Sequence, residues 1–289
     1  MKGVITIAYN NLEKSIETKN ILVEKLNKAG FEISENIEEN TELIISIGGD
    51  GSFLNTVHKF DFVSIPIVAI NTGHLGFFAE LSPEKIDEFI VSYKNKEYFI
   101  QESEPLEVII STKNESIKLK AVNEIVIKNI QSRTVHLDLQ VDGIKIEHFS
   151  GDGMLISTPM GSTAYNYSAG GSIVYPSLSL LQLTPIAPMN TNAYRSFTSS
   201  IILPTTSVIS ISPEFEFENS ILIVVDGIEY NFDDLVFMLV NVEKSKTTGE
   251  WSFKSCEFKN ASSTIFKNKY RLVIGELTGI VTVYKGYRE

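Results

Sequence analysis

A chain of 289 residues with 43% apolar and 21% charged residues is long enough for one large domain or two ordinary ones, with an ample core. A formal net charge of −11 and a pI near 5.0 exclude a broad basic footprint for nucleic acid. No apolar run approaches the ~20 residues of a membrane helix, and the lone Cys256 excludes an internal disulfide or a cysteine-rich zinc site, which fits a reducing, cytoplasmic location.

From the start, residues 3–9 (GVITIAY) are too short for a signal-peptide core and are expected to form a first β-strand. Leu12, Ile16, Leu22, Val23 and Leu26 follow at helical spacing, and Gly30 stands where a helix would stop. Leu43 to Ile47 predicts a strand running into Gly48-Gly49-Asp50-Gly51, with a helix from Ser52. Ile65 to Ile70 predicts another strand, ending in Asn71-Thr72-Gly73. Alternating strand, glycine turn and helix argue for an α/β layer with a mostly parallel sheet over residues 1–102.

Past Pro105 the texture changes. Leu106 to Ser111, Ile117 to Val122, Glu124 to Ile130 and Thr134 to Val141 are short and rich in β-branched residues. Asp142-Gly143 and Asp226-Gly227, each between apolar runs, are two-residue hairpin signals. An antiparallel all-β domain is therefore expected over 103–240. Residues 241–289 are expected to return to the first domain, although pattern alone assigns Trp251 to Glu289 no role.

Four motifs carry chemistry. In α/β sheets, ligands bind at the carboxyl ends of strands, where Gly48-Gly49-Asp50-Gly51-Ser52 falls. Glycines let a phosphate approach the backbone, and a following helix aims N–H groups at it, so Gly48, Gly49, Gly51 and Ser52 are candidate phosphate contacts. An aspartate in such a turn would repel phosphate. It makes sense if Asp50 accepts a proton from an attacking hydroxyl, holds Mg²⁺, or does both. An ordinary Gly-Asp-Gly turn with a surface carboxylate has the same sequence.

Asn71-Thr72-Gly73-His74-Leu75-Gly76-Phe77-Phe78 again follows a strand. A phenylalanine such as Phe77 can stack on a base and Asn71 can bond its edge, but core burial accounts for at least one of the two rings. Asn123-Glu124 interrupts β-branched runs, so the pair either faces water or holds a ligand. The run from Gly151 to Gly171, GDGMLISTPMGSTAYNYSAGG, places many small and hydroxylated residues in a turn where Ser162 or Thr163 could cap a short helix. It offers Asp152, Ser157, Thr163, Ala164, Tyr165, Asn166, Tyr167 and Ser168 to a polar, multi-oxygen ligand. Arg195, amid Asn and Thr, is a candidate phosphate partner or a surface salt bridge.

These motifs, in this order over roughly residues 40 to 240, resemble the NAD kinase family, with the 151–171 run the most specific. A lone GGDG is also similar to what lipid kinases and phosphofructokinases carry. The resemblance implies a two-domain kinase that uses Mg²⁺ with ATP or polyphosphate and assembles as a dimer or tetramer, its NAD site near the subunit interface. It implies that Asp50 is the proton acceptor for the ribose hydroxyl, with Gly51 against the ligand and Phe77 near the adenine. Asn123 and Glu124 would hold ribose or nicotinamide-side groups, and Asp152 the carboxamide end. Thr163, Ala164, Tyr165 and Ser168 would line the adenosine pocket, with Ala187 nearby. Ser150 stands where many relatives carry a basic residue.

Two other classes are disfavoured. A GGDG-type lipid kinase would lack the 151–171 run, and a non-catalytic dinucleotide sensor predicts loss of Asp50. The histidines are scattered: if Asp142-Gly143 closes a regular two-residue hairpin, Leu137 faces His148 and His136 points to the other side, so the two would not share a metal.

Overall fold

The computed structural model describes residues 3–73, 76–79, 81–131, 133–192, 195–214, 221–232, 235–241, 253–258, 270–274 and 281–285. The chain divides into two compact units, Met1–Ser103 with Ser252–Glu289, and Glu104–Trp251.

In the first unit, β1 (Val4–Tyr9) leads into α1 (Glu13–Ala29), which ends on Gly30 at φ 91. β2 (Glu32–Ser34), β3 (Thr41–Gly48), α2 (Asp50–Lys59), β4 (Pro66–Asn71), α3 (Ile86–Lys94) and β5 (Tyr98–Ser103) follow. β1 pairs in parallel with β2 and β3, and β3 in parallel with β4. Helices cover both faces. Ile45, Ile47, Val68 and Ile70 pack with Leu22 and Leu26 of α1 and Phe89 of α3, while Ser46 points the other way and bonds Thr56 of α2 at 2.8 Å. That double coverage explains why β3 is buried continuously from Leu43 to Gly48 instead of alternating. The second helix begins at Asp50, ahead of the expected Ser52, so the aspartate belongs to the first helical turn.

The second unit is two antiparallel six-stranded sheets. One orders β10 (Ile144–Gly151), β9 (Val135–Val141), β14 (Ile209–Pro213), β17 (Leu235–Asn241), β6 (Leu106–Thr112) and β7 (Ser116–Ala121). The other orders β13 (Ile201–Pro204), β12 (Leu180–Ile186), β11 (Gly153–Ser157), β8 (Glu124–Asn129), β15 (Ile221–Val225) and β16 (Ile228–Asn231). Val108, Leu137, Leu139 and Met238 of the first meet Ile125, Ile127, Ile156 and Leu183 of the second in one core, a face-to-face sandwich. An end at residue 240 would cut β17, which runs to Asn241.

Both expected hairpin turns form, with φ 52 and 76 at Asp142-Gly143 and 49 and 85 at Asp226-Gly227. The register after Gly143 differs from the regular hairpin. The pairing shifts between Lys145 and Glu147, leaving Ile146 as an extra residue, and His148 then faces Asp138 while Ser150 faces His136. This β-bulge puts His136 and His148 on the same face, which corrects the expectation that they diverge.

The chain then returns to the first unit. β18 (Phe253–Phe258) inserts between β4 and β5, parallel to β4 and antiparallel to β5. β19 (Tyr270–Ile274) and β20 (Val281–Lys285) pair with each other; residues 277–280 and 286–289 of the tail lie outside the described residues. No described helix is long and apolar enough to cross a membrane.

Candidate active site

In the first unit the site is built at the carboxyl ends of β3 and β4. Gly49 is the N-cap of α2 and Asp50 its first residue. The Asp50 carboxylate does not point freely outward: it accepts the backbone N–H of Phe77 at 2.6 Å, Phe78 at 3.0 Å and Ala79 at 3.2 Å. The glycine turn and the loop after β4, separate motifs in the sequence, are thus clasped by one side chain. Gly76 is required there, because a Cβ on it would sit 2.0 Å from Asp50 Oδ1. A carboxylate offers about four lone-pair positions. Phe78 and Ala79 occupy Oδ1 and Phe77 takes one position on Oδ2, so Oδ2 keeps room for a hydroxyl proton.

The remaining residues of this cluster divide by what they touch. Gly51 is exposed in the first turn of α2. Gly48 ends the buried strand, and Ser52 accepts the Asn10 amide at 2.9 Å while its N–H closes on Gly49 O, which leaves its O–H as the donor this side chain can offer a phosphate. Asn71 likewise spends both ends of its amide on the loop, accepting Gly73 N–H at 2.9 Å and donating to Ala79 O at 3.2 Å. Of the two phenylalanines, Phe78 stacks on buried Phe53 at 4.7 Å, while Phe77 is half-buried beside Asp50. His74 and Leu75 lie outside the described residues.

In the second unit Asn123 and Glu124 are both buried, and Asn123 Oδ1 and Glu124 Oε2 have no hydrogen-bond partner among the described residues. Buried polar atoms are almost always satisfied, so two orphans on adjacent residues single out this pair as a candidate for holding a polar ligand. Burial first, and then the nearby Asp226 carboxylate, push the Glu124 carboxyl up to about 8. At neutral pH much of it is therefore protonated and able to donate a hydrogen bond.

The cradle under this pair comes from Asp226, Thr158 and Gly161. Asp226 accepts the N–H groups of Val122 and Asn123, both at 2.7 Å, and of Glu124 at 3.2 Å. Thr158 donates to Val122 O at 2.7 Å and accepts Gly161 N–H at 3.0 Å. In the sequence Asp226 carries only a hairpin-turn signal, and nothing local distinguishes it from any other Asp-Gly. Gly161 packs so closely that a Cβ would lie 2.1 Å from Asn123 O.

Along the 151–171 run the structure separates framework from surface. Ser157 is buried and donates to Thr158 O at 2.9 Å. Asn166 is buried, accepting Thr184 Oγ1 at 2.7 Å and donating to the carbonyls of Ser162 and Ser172. Both side chains bond within the fold. The expected caps are absent: Ser162 bonds Pro159 O and Val174 N–H, and the helical segments Met160–Thr163 and Tyr165–Ser168 have no side-chain cap. Thr163 and Ala164 are half-buried, and Asp152, Tyr165, Tyr167, Ser168 and Ala187 are exposed, Ala187 with φ 44. Arg195 is exposed, bridges backbone to backbone with Asn190, and forms no ion pair among the described residues. Ser150 is buried and bonds the His136 ring at 2.8 Å.

Mg²⁺ prefers oxygen ligands, keeps several waters and rests largely on substrate phosphates. Among the described residues the only three-residue His, Cys or carboxylate group close enough to hold an ion is elsewhere, at His136, His148 and Glu214. An Mg²⁺ at the GGDG turn would therefore rest mainly on a donor's phosphates, and the one position left on Asp50 Oδ2 would go either to it or to a hydroxyl proton.

An α/β unit with Gly-Gly-Asp-Gly at a strand end, followed by a β-sandwich holding a buried Asn-Glu pair, defines a kinase of the GGDG class. The family descriptions ATP-NAD kinase N-terminal domain and ATP-NAD kinase C-terminal domain match residues 5–98 and 122–251. The chain belongs to the NAD kinase family. It is 41% identical over 240 residues to an NAD kinase of Finegoldia magna (81% of this chain, 88% of that one). It is 33% identical over 226 residues to one of Staphylococcus saprophyticus (76% and 83%). In fold it is similar to yeast NADH kinase solved with NADH, at TM-score 0.77 and 24% identity over 90% of this chain and 85% of that one. It is also similar to an NAD kinase from Archaeoglobus fulgidus solved with ATP, at TM-score 0.68 and 24% identity over 89% and 94%.

Proposed function

We propose that this chain phosphorylates the adenosine ribose 2′-hydroxyl of NAD to give NADP. The observation that carries the reading is the Asp50 carboxylate, fixed by three backbone N–H groups beside the glycine turn with a lone-pair position left on Oδ2. The 2′-oxygen forms a bond to the transferred phosphorus as the bond to the leaving phosphate oxygen breaks, and the hydroxyl proton passes to Asp50. A loose phosphoryl-transfer transition state asks for little more than this, so most of the acceleration comes from positioning and charge stabilisation. Mg²⁺ bound with the donor would supply charge neutralisation at the transferred group.

The buried Asn123-Glu124 pair supports the dinucleotide as acceptor, its orphan oxygens being satisfied by ribose or carboxamide groups. Phe77 packs near the adenine, Thr163, Ala164, Tyr165 and Ser168 border the adenosine with Ala187 nearby, Asp152 meets the carboxamide end, and Arg195 meets a phosphate. The donor is ATP or polyphosphate. A homo-oligomer, dimer or tetramer, in the cytoplasm is part of the same reading and rests on family membership.

The test is NADP formation by purified protein given NAD, Mg²⁺ and ATP, read through an NADP-specific dehydrogenase, and repeated with polyphosphate. NADP that disappears in Asp50→Asn is the expected result. Absence of NADP with both donors would leave a dinucleotide-binding protein instead.

A further inference from the structure

The bulge in the β9–β10 hairpin has a chemical consequence. Without it, His148 would lie on the core side of its strand, opposite Leu137. The extra residue Ile146 turns it outward, opposite Asp138, and next to His136 on the outer face of the sheet. The two imidazole rings lie 6.0 Å apart, within 8° of parallel. A third strand completes the group: Pro213 pairs with Leu137, and Glu214 donates its N–H to His136 O at 3.0 Å, so Glu214 follows on the same face. One ligand atom from each of His136, His148 and Glu214 lies within 4.8 Å of the others.

We propose that His136, His148 and Glu214 form a binding site for a borderline transition-metal dication, with Zn²⁺ as its type. Two imidazoles and one carboxylate are a donor set that Zn²⁺ accepts as three protein ligands, with water in the fourth position. Imidazole donors select against Mg²⁺. The neighbours behind the rings match what metal-bound histidines require. Asp138 Oδ1 meets His148 Nδ1 at 3.1 Å and Ser150 Oγ meets His136 Nδ1 at 2.8 Å. Such partners hold the rings in place, and the Asp138 carboxylate behind His148 is the kind of acceptor that metal-bound histidines use. Lys145 bonds the same Asp138 oxygen at 2.7 Å, holding that carboxylate against the hairpin. Because the ligands come from the β10 and β9 strands and the end of β14, a bound ion clips three neighbouring strands and acts as a stabilising cross-link.

The test uses the full chain stripped of metal, in excess Mg²⁺ and without nucleotide. Titration with Co²⁺ should give visible bands of nitrogen-ligated cobalt at one ion per chain, displaced by stoichiometric Zn²⁺, and Zn²⁺ should raise the melting temperature. His148→Ala, at an exposed position, should remove the bands and the thermal shift, with Zn²⁺ affinity lowered at least ~100-fold. Asp138→Asn should weaken affinity roughly 10- to 100-fold, the usual effect of losing a partner behind a metal-bound histidine. Glu214→Gln gives an independent variant at the third position and should also weaken binding. Wild-type binding no tighter than that of His148→Ala, or cobalt bands retained in both His148→Ala and Glu214→Gln, would overturn the site.

Discussion

Asp50 Oδ2 accepts the backbone N–H of Phe77 at 2.6 Å across 27 positions of sequence, binding the helix that follows the glycine turn to the loop that follows β4. The proposed base is therefore also the anchor of the loop beside it. Asp50→Asn should lower turnover at least ~100-fold, the range of a lost general base, while NAD binding is largely kept. The amide can still accept from Phe78 and Ala79 but turns a donor toward Phe77, so a loss of about 1–3 kcal/mol in stability accompanies it. Steady-state kinetics with a denaturation curve separates the two effects, and near-wild-type turnover would reject Asp50 as the base.

Gly76 lies against the same carboxylate. Gly76→Ala puts a methyl group 2.0 Å from Asp50 Oδ1, so the carboxylate or the loop must move. Small displacements of reacting groups are costly, and turnover should fall roughly 10- to 100-fold although no chemical group is removed. A crystal structure of the variant with Asp50 unmoved and kinetics unchanged would refute this.

Glu124 makes stability depend on pH. Its carboxyl is raised from 4.5 to about 8 by burial and by Asp226, so between those values the folded state holds a proton that the unfolded state has released. Stability from this group is fully present below the lower value and is lost as pH rises through the upper one, by on the order of a few kcal/mol. Glu124→Gln should flatten that decline and be the more stable protein at the alkaline end. Urea midpoints on either side of the window measure it; parallel pH profiles would show that Glu124 does not carry the effect.

Asp226 holds three consecutive N–H groups of 122–124. Asp226→Ala leaves them without their acceptor, which should cost about 1–3 kcal/mol in stability. Because the cradle and not the chemistry is damaged, KM for NAD should rise more than kcat falls. Gly161→Ala, which drives a methyl group into Asn123 O, should split KM and kcat in the same direction. A kcat loss with unchanged KM in both variants would argue against the 122–124 cradle as a binding element.

Much of this protein is decided locally. Period-two burial in β9, the helical spacing of Leu22 and Leu26, the Asp-Gly turns with positive φ at both positions and the glycine turn at the end of β3 are properties of short segments, and they were legible for that reason. So were Asp50 and the Asn123-Glu124 pair as the residues to watch. What only the tertiary structure decided are relationships with no local signature. An extra Ile146 shifts the β10 pairing by one residue and turns His148 to the face of His136, and no turn signal announces a bulge further along the strand. β18 enters the first sheet between β4 and β5 after the chain has built the whole second unit, so its place depends on an edge made far earlier. Ser157 has the same hydroxyl chemistry as Thr163 and Ser168, yet the fold buries it and leaves Thr163 half-buried and Ser168 exposed. Asp226 reaches Val122 across 104 positions, and only folding reveals which backbone donors a carboxylate will meet. Residue type sets what a group can do; the packed fold determines which partners its hydrogen-bonding capacity is spent on, and so what remains for a ligand.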